Sequence, residues 1–434
     1  MRTYRPLQSH LADQGPPDRS GQIESAQSAG ANEASAPWLS GPVAGVSAAS
    51  FFSDTGHEIT TALLPSFLIA TLHSSASALG LVEGISDGLM GLAKLGTGPL
   101  ANQPDRRRRL ASGGYLGTAI ATGLVGVSVA VWQVGILRAI AWIARGVRSP
   151  ARDSILASLV SPRAYGRAFG LERAGDNLGA VAGPLLAAGL ITWIGIRPTL
   201  YLAVIPGVLA AVAITVAARS ATQSLPAAGG VIRIEFGRLR HAGLLRPMVP
   251  VAAFELGNVA TTLLILRATQ QLQSGGLSVT AAASLAILIY AAHNAFGAAV
   301  AAVGGHWVDR SGPRIVFASA AALYVVAYVG FAVPGQGWPT LLVAFTLAGS
   351  GIGLAETAES TLVARALPDE LRGSGFGLLG GVQAAGDFAS SAVVGLLYTV
   401  LSPVVGFAYA AGWMLVALLG SAQLRTTREG DAGT

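Results

Sequence analysis

The chain has no cysteine and only one lysine, Lys94, in 434 residues. No cysteine means no disulfide framework, no thiolate metal site and no redox-compartment signal. Charge is scarce: 12% of residues are charged, against roughly a quarter in soluble proteins. Aromatic residues make up 7%, too few for a broad aromatic pocket. No Gly-x-x-x-x-Gly-Lys-Ser/Thr stretch occurs, which excludes a primary ATP-driven pump within this chain. No nucleophile motif accompanies the histidines, so the chain reads as a non-enzyme without cofactor.

What is present is apolar. Hydrophobic residues are 52% of the chain and the mean hydropathy is +0.56. They fall into a dozen stretches of helix-spanning length, not into alternating segments of about ten residues, which argues against an outer-membrane barrel. The 56 glycines suit close helix packing in lipid. The net charge of +6 does not signal nucleic acid, because the arginines lie in short loops or inside spans, where they set orientation.

The expected fold is all-α, with twelve transmembrane helices. They lie near 43–71, 77–101, 112–132, 134–158, 168–194 and 199–218, then 247–269, 280–304, 315–334, 338–366, 374–400 and 402–423. These make two six-helix bundles, 42–218 and 247–424, with a linker at 219–246 and tails at 1–41 and 425–434. The first tail, rich in Gly, Ser, Ala, Gln and Pro, reads as disordered. No cleavable signal pattern precedes the first span, which itself directs insertion. Arginine-bearing loops fall on one side, so both termini and the linker are expected in the cytoplasm. The basic, amphipathic stretch from Val231 to Arg240 reads equally as a surface helix or a solvated connector.

Internal repeats support the division. Gly98-Pro99-Leu100-Ala101-Asn102 and Gly305-His306-Trp307-Val308-Asp309 are related by a shift of 305 − 98 = 207. Phe169 in Gly166–Gly170 and Phe376 in Gly373–Gly377 are related by the same shift, 376 − 169 = 207. A weaker echo joins Asp54 to Glu255 at 255 − 54 = 201. Related helical halves with a site between them are a transporter signature.

The pattern Gly305-x-x-x-Asp309-Arg310-x-Gly312-x-Arg314 resembles the loop motif of the major facilitator superfamily. Its first-half copy departs: Asn102 replaces the acid and Asp105 replaces a glycine. Gly170, Gly179, Gly183 and Pro184 resemble the fifth-helix motif of that superfamily's antiporters, with Ala187-Ala188 in place of its closing glycines. Asp54 to Leu63-Leu64-Pro65, Gly146-x-Arg148-x-Pro150-x-Arg152-Asp153, and Leu256-Gly257-Asn258 with Arg267 are similar to a bacterial branch with an acidic first helix. The likeness covers about 43–424. It implies two pseudo-symmetric bundles working as a monomer in the bacterial cytoplasmic membrane. It implies a cavity lined by helices 1, 4, 7 and 10, and export of substrate. It also implies a cytoplasmic gate of Gly98, Asp105, Arg106 to Arg109, Gly305, Asp309, Arg310 and Arg314, whose charges pair across the halves.

The ionisable residues inside the spans carry the chemistry, because charge in lipid persists only when it faces a partner or a cavity. Asp54, His57 and Glu58 share one face of the first helix. Glu83, Asp87 and Lys94 fall within about 40° of one another on the second. Arg138, Arg145 and Arg152 form a stripe on the fourth, joined by Arg148 and Asp153; Glu172, Arg173 and Asp176 lie on the fifth. The second half adds Glu255, Asn258, His293, Asn294, Glu356, Glu359, Gln383 and Asp387. Structural ion pairing is the competing account for most of these charges.

The expected function is secondary transport by alternating access, with H+ as coupling ion and a small polar or charged organic substrate. Asp54 or Glu58 is the expected proton-coupling acid. Candidate coupling or substrate-binding residues are Asp54, His57, Glu58, Glu83, Asp87, Lys94, Arg145, Arg152, Asp153, Arg173, Asp176, Glu255, Asn258 and Glu356. Divalent-metal export through Asp54, His57 and Glu58 is one alternative, although a single histidine is thin for a metal site. A non-transporting receptor or sensor is another. Partners are the lipid bilayer and a small molecule.

Overall fold

A computed structural model describes residues 37–73, 76–221, 234, 236–335 and 337–424. The expectations for 1–36, for 222–233 and 235 in the linker, and for 425–434 lie outside the described residues.

Long apolar runs form helices because a backbone in lipid must satisfy its hydrogen bonds internally. Twelve rods result among the described residues, and no strand. They are α1 (Gly41–Ser66, continued by a π turn Phe67–Thr71), α2 (Ala76–Thr97), α3 (Pro104–Leu124), α4 (Val131–Ser158), α5 (Tyr165–Ile194) and α6 (Ile196–Ser220, interrupted at Ala203). After a short helix Phe236–His241 come α7 (Leu245–Ser274, interrupted at 258–260), α8 (Val279–Ser311), α9 (Pro313–Ala332), α10 (Trp338–Ala366), α11 (Asp369–Val400) and α12 (Pro403–Gly420). Eight are long and apolar enough to cross a membrane by composition alone. The other four, α1, α2, α4 and α11, have comparable length and carry many of the ionisable residues.

Helix starts and stops follow local chemistry. Proline stands in the first turn of α1, α3, α9, α10 and α12, where its missing N–H costs nothing. Gly312, at φ +80°, turns the chain from α8 into α9 in one residue, a conformation that strains any other side chain.

Three expected boundaries move. The third span begins at Pro104 rather than 112, the eighth runs to Ser311, and the eleventh begins at Asp369 rather than 374. Helices continue into charged sequence because the backbone ladder does not stop where hydropathy falls. The seventh span, expected to be continuous, breaks after Gly257. Its freed backbone donors are satisfied sideways: Val259 N–H donates to Tyr328 Oη (3.0 Å) and Ala260 N–H to Ser391 Oγ (3.3 Å).

The six-and-six repeat reappears as geometry. Gly98 packs backbone to backbone on Gly373 and Gly377; Gly305 does the same on Gly166 and Gly170. A Cβ on any of these six would come within 2.3–2.8 Å of opposing backbone. The 207-residue shift maps one contact onto the other, and Phe169 meets Phe376 between them, ring centroids 5.7 Å apart. Asn102 donates to Ser374 Oγ (2.8 Å) and accepts from Ser374 N–H (3.0 Å). In the mirrored place Asp309 accepts from the backbone N–H of Gly166 (2.7 Å) and Arg167 (3.1 Å), and from Arg167 Nε (2.9 Å).

Cross-half hydrogen bonds and ion pairs among the described residues lie at this end, which carries the basic loops, or at mid-depth. At the opposite end the polar contacts among the described residues stay within a half: Arg197 binds the Gly126 and Ser128 carbonyls, and Arg267 binds that of Phe331. The bundle is therefore closed at its basic end. With no native cysteine, a pair introduced as N102C and S374C is expected to cross-link on oxidation, read as retained linkage after cleavage of the linker. G373L is expected to reduce that yield several-fold by holding the ends apart.

Candidate functional site

Two of the antiporter-like glycines of α5, Gly179 and Gly183, seat α1 together with Gly175. Gly175, Gly179 and Gly183, spaced i, i+4, i+8, form a groove. A Cβ there would come within 2.5–2.6 Å of Ser47 O, Phe51 O and Glu58 Cβ. This close approach carries Asp54 and Glu58 inward against α4, whose arginines line the opposing stripe. Gly170 instead packs across the halves, on Ala301 and Gly305.

Asp54 is 4% exposed and accepts two hydrogen bonds from Arg145, at 2.6 and 2.9 Å. This bidentate fork is the strongest carboxylate arrangement that arginine offers. Arg148 approaches Asp54 at 3.6 Å while its guanidinium lies 3.9 Å above the Tyr115 ring. His57 does not converge with Asp54: its ring packs edge-on to Trp142, centroids 4.7 Å apart. Arg138 is buried beside Trp142.

Closer to the basic end, a second network links α1, α4 and α5. Arg152 pairs with Glu172 (2.6 Å) and Asp153 (2.8 Å), with Asp176 at 4.0 Å. Ser50 donates to the same Glu172 oxygen at 2.6 Å. Arg173 reaches from Glu172 (3.5 Å) across to Glu356 (3.7 Å) and Ser360 (3.4 Å) of the other half.

The second half is acidic. At the break in α7, Asn258 donates to both Glu255 (3.1 Å) and Asp387 (2.9 Å), and Tyr324 donates to Asn258 Oδ1 (3.4 Å). Glu359, buried at 1% exposure, accepts from Gln383 at 2.9 Å. Under the 207-residue shift Arg152 maps to Glu359 and Asp176 to Gln383. The same two backbone positions therefore carry an arginine–acid contact in one half and an acid–amide bond in the other. Lys94 crosses between halves, its stem lying on Gly380.

Several buried atoms here have no hydrogen-bond partner in the protein: His57 Nδ1, Trp142 Nε1, Arg148 Nε and Nη1, Asp176 Oδ1 and Glu359 Oε1. An unmet buried polar group costs about 1–3 kcal/mol. The arrangement therefore has spare capacity for water, a proton or a polar solute.

The structure brings together Asp54 with Arg145; Arg152 with Asp153 and Asp176; Arg173 with Glu356; and Glu255 with Asn258. The side chains of Glu83 and Asp87 lie outside the described residues. Among the described residues, no three or more His, Asp or Glu are grouped to hold a metal ion. At the gate Gly98, Gly305 and Asp309 meet the other half. The expected pairing of the remaining charges is corrected: Asp105, Arg106, Arg109, Arg310 and Arg314 are exposed, with no ion pair among the described residues. Only Arg107 of the run crosses, bonding Asp369 at 3.1 Å, because one residue per helical turn faces the partner. Asp369 and the Asn102–Ser374 contact escaped the sequence reading; the 207-residue shift, applied to Asp309 and Arg167, points to the second.

The sequence model of the Major Facilitator Superfamily matches residues 46–289 and 242–432. An uncharacterized protein of Mycobacterium tuberculosis is 27% identical over 343 residues, 77% of this chain and 81% of that protein. An uncharacterized MFS-type transporter of Methanocaldococcus jannaschii is 23% identical over 363 residues, 83% of this chain and 89% of its own length. The crystal structure of FucP from E. coli, in the outward conformation, superposes with a TM-score of 0.66 at 15% identity, covering 89% of this chain and 99% of FucP.

Breaking a buried ion pair by removing one partner typically costs about 3–5 kcal/mol. D54N and R145Q are each expected to lower the unfolding midpoint in detergent by that order. The double variant should lose less than the sum, leaving a coupling energy that a double-mutant cycle measures.

Proposed function

We propose that this chain, which belongs to the Major Facilitator Superfamily, is a proton-coupled exporter of a small polar or charged organic compound. It is a multi-pass integral membrane protein and a secondary transporter; antiport, the proton and the substrate class are the proposal. The observation that carries it is the Asp54–Arg145 fork, a buried carboxylate of α1 held by an arginine of α4. In such a place, a proton and a solute that donates to the ionised carboxylate of Asp54 or Glu58 compete for the same oxygens, so taking up one expels the other. Burial favours the neutral acid and the neighbouring guanidinium favours the charged one, so a change of surroundings can tip the balance.

The basic end faces the cytoplasm on the positive-inside tendency. The two bundles, 42–218 and 247–424, then rock about the pseudo-twofold contact at Phe169 and Phe376. With that end closed, access in an exporter can come only from the outside, where the solute is delivered and a proton taken up. Glu255, Asn258 and Glu356 line the second half of the path, and the break in α7 supports a site there, since interrupted helices at mid-membrane commonly frame transporter sites.

In everted vesicles carrying a pH-sensitive dye, a screen of polar organic compounds is expected to find one whose addition collapses an imposed proton gradient. D54N combined with E58Q should abolish that response while the protein still inserts and elutes as wild type. An unchanged response in the double variant would remove both acids from coupling.

A further inference from the structure

A second polar feature lies away from the transport path. At the basic end, between α3 and α6, a cavity of about 300 Å³ is lined by Asp105, Arg108, Arg109, Ser112, Thr215 and Arg219, with Ala218 at its wall. Each helix contributes a hydroxyl with an arginine four residues from it: Ser112 with Arg108, Thr215 with Arg219. Thr215 donates to Ser112 Oγ at 2.9 Å, tying the helices together at this level. Among the described residues, Arg108, Arg109 and Arg219 take part in no ion pair. Directly along the two helices, Leu116 and Ile120 of α3 and Leu209, Val212 and Val216 of α6 are exposed and apolar.

We propose that this cavity binds the phosphate of an anionic phospholipid, with the acyl chains lying along the exposed flanks of α3 and α6. Three guanidinium groups supply donors in the geometry that phosphate oxygens accept, and the Ser112 hydroxyl, which accepts from Thr215, adds a neutral donor. Asp105 on the rim disfavours a second negative charge and leaves room for a neutral or cationic part of the headgroup. Basic pockets between membrane helices at the headgroup level are suited to such lipids. The site is not a by-product of the repeated gate. The 207-residue shift maps Arg108 and Arg109 onto Ile315 and Val316, so the second half keeps the helix and lacks the charge. A soluble phosphate would find the same donors. The apolar flanks beside them favour an occupant with hydrocarbon chains.

The test is native mass spectrometry of the full chain released from mixed micelles with equimolar phosphatidylglycerol and phosphatidylcholine. Wild type is expected to retain phosphatidylglycerol preferentially, and R108Q/R109Q/R219Q to lose that preference by roughly a hundred-fold, about five-fold per arginine. R108K/R109K/R219K should restore part of it, which a merely structural role would not. An unchanged lipid ratio in the glutamine variant overturns the proposal. So does inorganic phosphate that displaces the lipid at equal concentration, since the site would then read a free anion. Should the triple variant fail to fold, R219Q alone decides, with a roughly five-fold loss expected and no change overturning it.

Discussion

The structure depends on the high cost of an unpaired charge inside a membrane. A lone carboxylate or guanidinium at mid-depth costs several kcal/mol, so each must find a partner or face water. In the first half that requirement draws α1, α4 and α5 into one network: Asp54 to Arg145, Glu172 and Asp153 to Arg152. The glycines of α5 are what let α1 come close enough for these bonds to form. The packing of small residues and the pairing of charges are thus one constraint seen twice.

The two halves share a backbone plan but not a charge plan. Gly98, Gly166, Gly170 and their partners 207 residues on keep the closed end tight in both halves. Inside, Arg152 is matched by Glu359, and where α4 supplies Arg138, Arg145, Arg148 and Arg152, the second half supplies Glu255, Glu356, Glu359 and Asp387. Arg173 and Lys94 carry positive charge from the first half to the second half's acids and amides. A rocking motion that separates the halves must therefore also redistribute charge, which gives a solute or a proton a means of driving it.

The twelve rods were legible in the sequence because spans of about 20 apolar residues admit few other structures. The repeat was legible because it is written in glycines and one acid. Boundaries were less so: hydropathy cannot see that α3 continues through Arg106 to Arg109. The break at Asn258 was signalled only by Gly257-Asn258, a pair that ends helices yet also occurs within them. Which arginine of a basic run crosses the gate depends on helix rotation, so Arg107 could not be told from its neighbours. The partner of Asp54 was not readable either, since Arg138, Arg145 and Arg152 lie on one stripe with Arg148 beside it, and only packing against α1 selects among them.

The two sides of the closed end are fastened differently. On one side the task is divided, Asn102 holding Ser374 through neutral amide and hydroxyl groups and Arg107 holding Asp369 through full charges; on the other Asp309 alone accepts from both the Arg167 guanidinium and the backbone N–H groups of Gly166 and Arg167. Dissolved salt weakens ionic contacts and leaves neutral ones nearly untouched. Both edges of the seam thus combine an ionic-strength-sensitive contact with an insensitive one. As salt rises each edge loses its ionic contact and keeps its neutral ones, so the seam slackens on both edges together rather than about an oblique hinge.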